Sequence, residues 1–188
     1  MDATNFVAKI NQLRAGLDYF DHFDDNISFT LKGDSRYVSE SDFNNEFIRR
    51  SCVSGTYYKS KGNLYEYENE IENLIINFNN KNIFKILNGI SFLDDVLILN
   101  EGLYVFGTLD SYLCYNETGK VFWIDYDTHE ILSNVSNTPE SFLDCMYELA
   151  NNNINRSLTN IELLTKLVNL SGENDSIIFY KYLLGIDE

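Results

Sequence analysis

Residues 96–132 read VLILNEGLYVFGTLDSYLCYNETGKVFWIDYDTHEIL, and their pattern decides the fold. Five short β-type runs, Val96–Leu99, Leu103–Gly107, Tyr112–Tyr115, Val121–Asp125 and Glu130–Leu132, are punctuated by four turns. These are Asn100-Glu101-Gly102, Thr108-Leu109-Asp110-Ser111, Asn116-Glu117-Thr118-Gly119 and Tyr126-Asp127-Thr128-His129. Asn, Asp and Gly accept turn geometry, whereas Val, Ile, Tyr, Phe and Trp suit a pleated surface. Links this short join only antiparallel neighbours, because a parallel crossover needs about a dozen residues or more. The stretch therefore predicts an antiparallel meander. Leu103–Phe106 and Val121–Ile124 are apolar at consecutive positions, so both faces need cover, one of them from flanking helices.

Downstream, Thr138 is placed to cap a helix that has Pro139 at its first position, Glu140 at the positive end of the dipole and Phe142, Met146 and Leu149 as an inward stripe. Helical spacing returns at Ile161–Leu170 and Ser176–Leu184, after polar loops at Asn151–Asn153 and Ser171–Asp175. Upstream, apolar positions between Glu70 and Leu87 recur at helical spacing, with a break predicted at Asn79–Asn82 and a stop at Asn88-Gly89. Tyr57-Tyr58 and Leu64–Tyr67 flank Lys59–Asn63 as the two arms of a hairpin. Ser39 or Ser41 opens a helix running through Phe43 and Phe47 to Arg50, and Ile27–Leu31 alternates as a strand. Phe6, Ile10, Leu13 and Leu17 make a first amphipathic helix that Gly16 ends early. No internal repeat or linker divides the chain. One α+β domain follows, a central antiparallel sheet flanked by helices.

The chain has 188 residues, 29 of them acidic and 14 basic, for a net charge of −15. Such a polyanion lacks the cationic surplus that releases counterions from phosphate backbones, so neither nucleic acid nor anionic membrane is an expected partner. Its 44% hydrophobic and 14% aromatic content fills a core. No apolar run reaches the roughly 20 residues of a spanning helix. The opening MDATNFVAKI has no basic region followed by a long apolar one, so no secretory signal is expected. Cys52, Cys114 and Cys145 are too few and too scattered for a disulfide framework, which points to free thiols in a reducing, cytoplasmic compartment.

Asp125-Tyr126-Asp127-Thr128-His129-Glu130 gathers three carboxylates and an imidazole within six residues. Oxygen and nitrogen donors of that kind suit a divalent cation, and a metal-dependent hydrolase using Asp125, Asp127 and His129 is one reading. The other is a hairpin turn, where Asp and Thr bond locally and alternate side chains leave opposite faces. GxSxG, HExxH, GxxxxGK[ST] and a strand-borne GxGxxG are all absent from the sequence. No catalytic residue and no cofactor are expected.

Charge is distributed unevenly. Between Ile86 and Asn155 eleven acids face a single base, Lys120, a net of −10 out of the total −15. Most of these acids fall at turns and strand ends, and so around the rims of the sheet. Asp94, Asp95, Glu101, Asp110, Glu117, Asp125 and Asp127 are the candidate contacts for a basic protein, which such a field would steer in. A merely solubilising surface is the competing reading. Tyr104, Tyr112, Tyr115 and Tyr126 are either interface anchors or cross-strand packing, and packing is favoured for most of them and for Trp123.

Gly102–Thr108, Tyr112–Tyr115, Gly119–Asp125 and Ser141-Phe142-Leu143 together resemble the SUKH superfamily, which is related to the Smi/Knr-type fungal cell-wall regulators. In that family a strand ending in Phe/Ile-Gly precedes a second strand, a glycine turn, a Val-Tyr/Trp strand and a helix carrying Ser-Phe. The likeness spans about residues 95 to 150, and the family's Leu-Pro element near the first helix is not found in the first 90 residues. The resemblance implies an α+β fold around an antiparallel sheet. It also implies a non-enzymatic function, since bacterial members are mostly immunity proteins that neutralise a cognate polymorphic toxin, often a nuclease or a deaminase. No catalytic residue carries over. A regulatory adaptor, as in the fungal relatives, is the further expectation it leaves open.

Overall fold

The computed structural model of the chain describes residues 1–15, 59–60, 66–79, 86–100 and 102–186. Helix α1 (Ala3–Ala15) buries Phe6 and Ile10 of the predicted stripe together with Ala3 and Val7, with Leu13 partly buried against the same core. Strand β1 (Lys59–Ser60) follows, then helix α2 (Glu70–Asn77), whose cap Asn69 accepts the Ile71 and Glu72 amides at 3.0 Å each. Strand β2 (Phe78–Asn79) pairs with β1, antiparallel, through Lys59↔Asn79 and Ser60↔Phe78. Two expectations are corrected here. The helix ends at Asn77, because Phe78 turns extended to pair with β1, and Ile86 and Leu87 are core residues of a turn. Lys59-Ser60 is a strand with a distant partner, not the turn of a local hairpin. The 86–89 turn reverses the chain through Asn88 (φ 52°) and Gly89 (φ 93°), where the predicted stop lies.

Strands β3 (Ser91–Asn100), β4 (Leu103–Thr108), β5 (Tyr112–Asn116), β6 (Val121–Ile124) and β7 (Ile131–Ser136) form one sheet in sequence order. All four pairings are antiparallel, so the meander is as expected. Its outer strands are longer than predicted. β3 starts five residues before Val96 because its register with β4 jumps from Phe92↔Gly107 to Leu97↔Val105, and that bulge breaks the alternation that would reveal it. Gly107 sits under this crossing: a Cβ there would lie 2.8 Å from the Ser91 carbonyl oxygen, so the backbones approach only with glycine. β7 runs on to Ser136 through two further register shifts.

Helix α3 (Pro139–Asn155) is capped by Thr138, whose hydroxyl accepts the Ser141 amide at 3.2 Å while the Ser141 hydroxyl accepts the Thr138 amide at 3.3 Å. Such a box contributes about 1 kcal/mol. Asn151–Asn153, predicted to be a loop, is helical. Asn152 is buried and brackets Leu158, accepting its amide at 2.8 Å and donating to its carbonyl at 3.2 Å. Asn153 donates to the Ile86 carbonyl at 2.8 Å. Helix α4 (Asn160–Ser171), a 3₁₀ turn at Asn174–Ser176 and helix α5 (Ile177–Leu184) complete the chain much as expected.

Helices pack on one face of the sheet, where Phe106, Leu113, Tyr115, Val121, Trp123 and Val135 join Phe142, Met146, Leu167 and Phe179 in the main core. The opposite face buries Val105, Cys114, Phe122 and Ile124, against which Leu93, Leu99, Leu103 and Tyr112 pack. Both faces of the consecutive apolar strands are thus covered, and the fold is α+β. Among the described residues no helix is long and apolar enough to cross a membrane. The Ile27–Leu31 strand, the Ser39–Arg50 helix, Gly16, Leu17 and Cys52 lie outside the described residues, as do Tyr57-Tyr58, Leu64-Tyr65 and most of the Asn79–Asn82 break.

Candidate functional site

In a meander, successive turns fall at alternate ends of the sheet, and that alternation sorts the candidate acids. Asp110 in the β4–β5 turn and Asp125 and Asp127 in the β6–β7 turn share one end. Glu117 in the β5–β6 turn lies at the other, about 17 Å away at ~3.4 Å per residue of a five-residue strand. Asp94 and Asp95 are exposed on the β3 bulge, and Glu101 lies outside the described residues. The seven acids therefore do not form one face. Asp110, Asp125 and Asp127 do come together, and Glu130 joins them, because Tyr112↔Ile124 pairing sets the two turns side by side.

Asp125 organises its turn. Its Oδ1 accepts the Asp127 amide at 2.9 Å, the Thr128 amide at 2.9 Å and the Thr128 hydroxyl at 3.1 Å. The Thr128 and Asp127 amides hold its carboxyl below the usual carboxylate range. The Asp125 amide donates to the Glu130 carbonyl at 3.0 Å and the His129 amide to the Asp125 carbonyl at 3.2 Å, which leaves His129 at φ 58°. One carboxylate oxygen is thus consumed by local bonds, and among the described residues no three His, Cys, Asp or Glu side chains converge as a ligand set. Asp125, Asp127 and His129 form a hairpin turn. Asp127, His129 and Glu130 are exposed on it.

Aromatic rings support both turns. Tyr126 and Tyr112 meet in a T-shaped contact, with ring centroids 4.4 Å apart at 89°, and His129 lies 6.3 Å from Tyr112. On the helix face Trp123 donates its indole N–H to the Leu109 carbonyl at 2.9 Å and packs on Tyr182 at 4.8 Å. Tyr182 in turn donates its hydroxyl to Asp110 Oδ2 at 2.5 Å. Trp123 and Tyr115 are core residues, as favoured, Tyr104 and Tyr112 are half-buried, and Tyr126 is exposed. Tyr182 is the participant that sequence reading misses, for its partner is 72 residues away and no local pattern marks it.

Three acids elsewhere are held in ion pairs. The Met1 ammonium meets Asp144 at 2.9 Å, Lys166 meets Glu148 at 2.6 Å, and Lys120 meets Glu173 at 2.7 Å. Among the described residues no Lys or Arg forms an ion pair with Asp110, Asp127 or Glu130. Burial pushes the thiols of Cys114 and Cys145 up to about 12, so both stay protonated at neutral pH and are poor nucleophiles.

The Tyr182–Asp110 bond has a pH signature. Hydrogen bonding to the carboxylate, with smaller contributions from desolvation and from the carboxylate's charge, raises the phenol above its ordinary 10.0. A folded-state value above the unfolded one gives stability that is complete below pH ~10 and fades as pH rises through the folded value. Tyr182→Phe is expected to be less stable than wild type at pH 8, with the gap closing toward pH 12. Urea midpoints of both proteins across that range measure the gap, and taking the difference cancels the buried tyrosines Tyr115 and Tyr180.

Comparison with protein-family models, with curated proteins and with solved structures returns no match.

Proposed function

We propose that this chain is a non-enzymatic binding protein that presents one anionic end of its sheet to a basic protein. The proposal extends to an immunity protein of the SUKH type, acting in the cytoplasm on a cognate toxin such as a nuclease or a deaminase. The observation that carries the reading is the grouping of Asp110, Asp127 and Glu130 on two neighbouring turns, without a basic ion-pair partner among the described residues. Asp144, Glu148 and Glu173, on or beside the helices, are by contrast held by the Met1 ammonium, Lys166 and Lys120 in turn. A nuclease needs a cationic cleft for its substrate, and carboxylates fixed on rigid turns substitute there for phosphate. Resemblance over residues 95–150 supports the same class of function.

The test is to search beside the gene for a large reading frame ending in a toxic domain and to measure capture of that purified domain by this chain. The purified pair should associate with a rate that falls steeply between 50 and 500 mM salt, as steering by exposed charge requires. A complex whose association is indifferent to salt, or no complex at all, removes the anionic-end reading.

A further inference from the structure

The β6–β7 turn carries an apolar surface as well as its acids. Cross-strand pairing sets Tyr112 beside Ile124 and Ile124 beside Ile131, so these three form a row on the sheet face away from the helices. Ile124 is buried and Tyr112 half-buried, but Ile131 is 55% exposed and Tyr126, standing on Tyr112, is 39% exposed. The T-shaped contact with Tyr112 and the Asx-type bonds of Asp125 fix the turn, so the Tyr126 ring is held in place before any partner arrives. Asp127 and Glu130, both exposed, follow it in the same connection.

We infer that this turn is the anchor point for an arginine of the partner, carried on an extended segment that alternates cationic and apolar residues. The inference rests on the anionic-end reading and assigns its centre. A guanidinium stacks on an aromatic face while its fork of N–H groups reaches carboxylates, and it is desolvated more readily than an ammonium. Tyr126 offers the ring, Asp127 and Glu130 the acceptors, and Ile131 the surface for the neighbouring apolar side chain. Charge complementarity selects the occupant: a second copy of this chain would bring Asp127 and Glu130 against their own equivalents, and like charges repel.

The probe is a fluorescently tagged Gly-Arg-Val-Arg-Val-Arg-Gly peptide, titrated into the full chain at low salt, with amide shifts recorded in parallel. Shifts confined to residues 124–132 and Tyr112 are expected. Tyr126→Ala should weaken binding about fivefold, whereas Tyr126→Phe should bind within about twofold of wild type, since the face and not the hydroxyl is used. Replacing Arg by Lys in the peptide should also weaken it. Binding that is unaffected by Tyr126→Ala, or shifts spread over Asp95 and Glu117, overturns the arginine anchor and leaves the anionic-end reading standing. Failure of the peptide to bind while the toxin domain is captured does the same. A dimer forming through this turn overturns it too, and failure of both probes overturns both readings.

Discussion

Phe142→Ala is expected to lower the free energy of unfolding by about 3–5 kcal/mol, the range for truncating a fully buried phenylalanine. Phe142 is wholly buried and is the point where helix α3 enters the sheet. Its ring meets Phe106 edge-on at 5.2 Å and Phe92 at 6.5 Å, tying α3 to β4 and to the first residues of β3. Phe106 lies at the register shift of β4, so the cavity would open where the sheet is least regular. Collapse to fill it would have to move the backbone beside Gly107, which lies so near the Ser91 carbonyl that a Cβ there would be 2.8 Å from its oxygen. The loss is therefore expected toward the upper part of the range. Against a typical domain stability of about 5–15 kcal/mol it removes a large share. Urea unfolding should show the midpoint lowered by about 1 M or more, with Phe142→Leu falling between the two. A midpoint unchanged by alanine would mean that α3 is not seated on the sheet as described.

The meander was legible because its determinants are local: each turn is specified by the residues inside it. Asn116 shows this, its Oδ1 accepting the Thr118 amide at 3.1 Å and the Lys120 amide at 3.0 Å. Strand extents were not, because bulges put Asp94 and Asp95 inside a strand and carry β7 past Leu132. Asparagine misled most. Asn151–Asn153 reads as a loop by propensity, but Asn152 and Asn153 spend their amides on Leu158 and Ile86, and those tertiary bonds override a weak local preference. The pairing of Lys59-Ser60 with Phe78-Asn79 and the bond from Tyr182 to Asp110 join distant residues and leave no periodic trace. The acids of the candidate site were visible by composition. Their division between the two ends needed only the alternation of turns in a meander, a signal that total charge conceals.

That division yields the sharpest functional expectation. Asp127→Lys with Glu130→Lys should slow association with the toxin domain by about 10-fold to 10²-fold at low ionic strength. Asp95→Lys with Glu117→Lys changes the net charge equally but, at 150 mM salt where the screening length is about 8 Å, should slow it only about twofold, because those residues lie on the β3 bulge and at the far end of the sheet. All four side chains are exposed, so both variants should melt with wild type and differences in rate will not reflect unfolding. Stopped-flow association at 20 mM, 150 mM and 300 mM salt separates the terms. The first variant should lose most of its salt dependence, since it removes the charges that produce it, while the second keeps the wild-type slope. Equal slowing by the two pairs would mean that the partner senses overall charge alone. Greater slowing by the second pair would move the interface to the opposite end of the sheet.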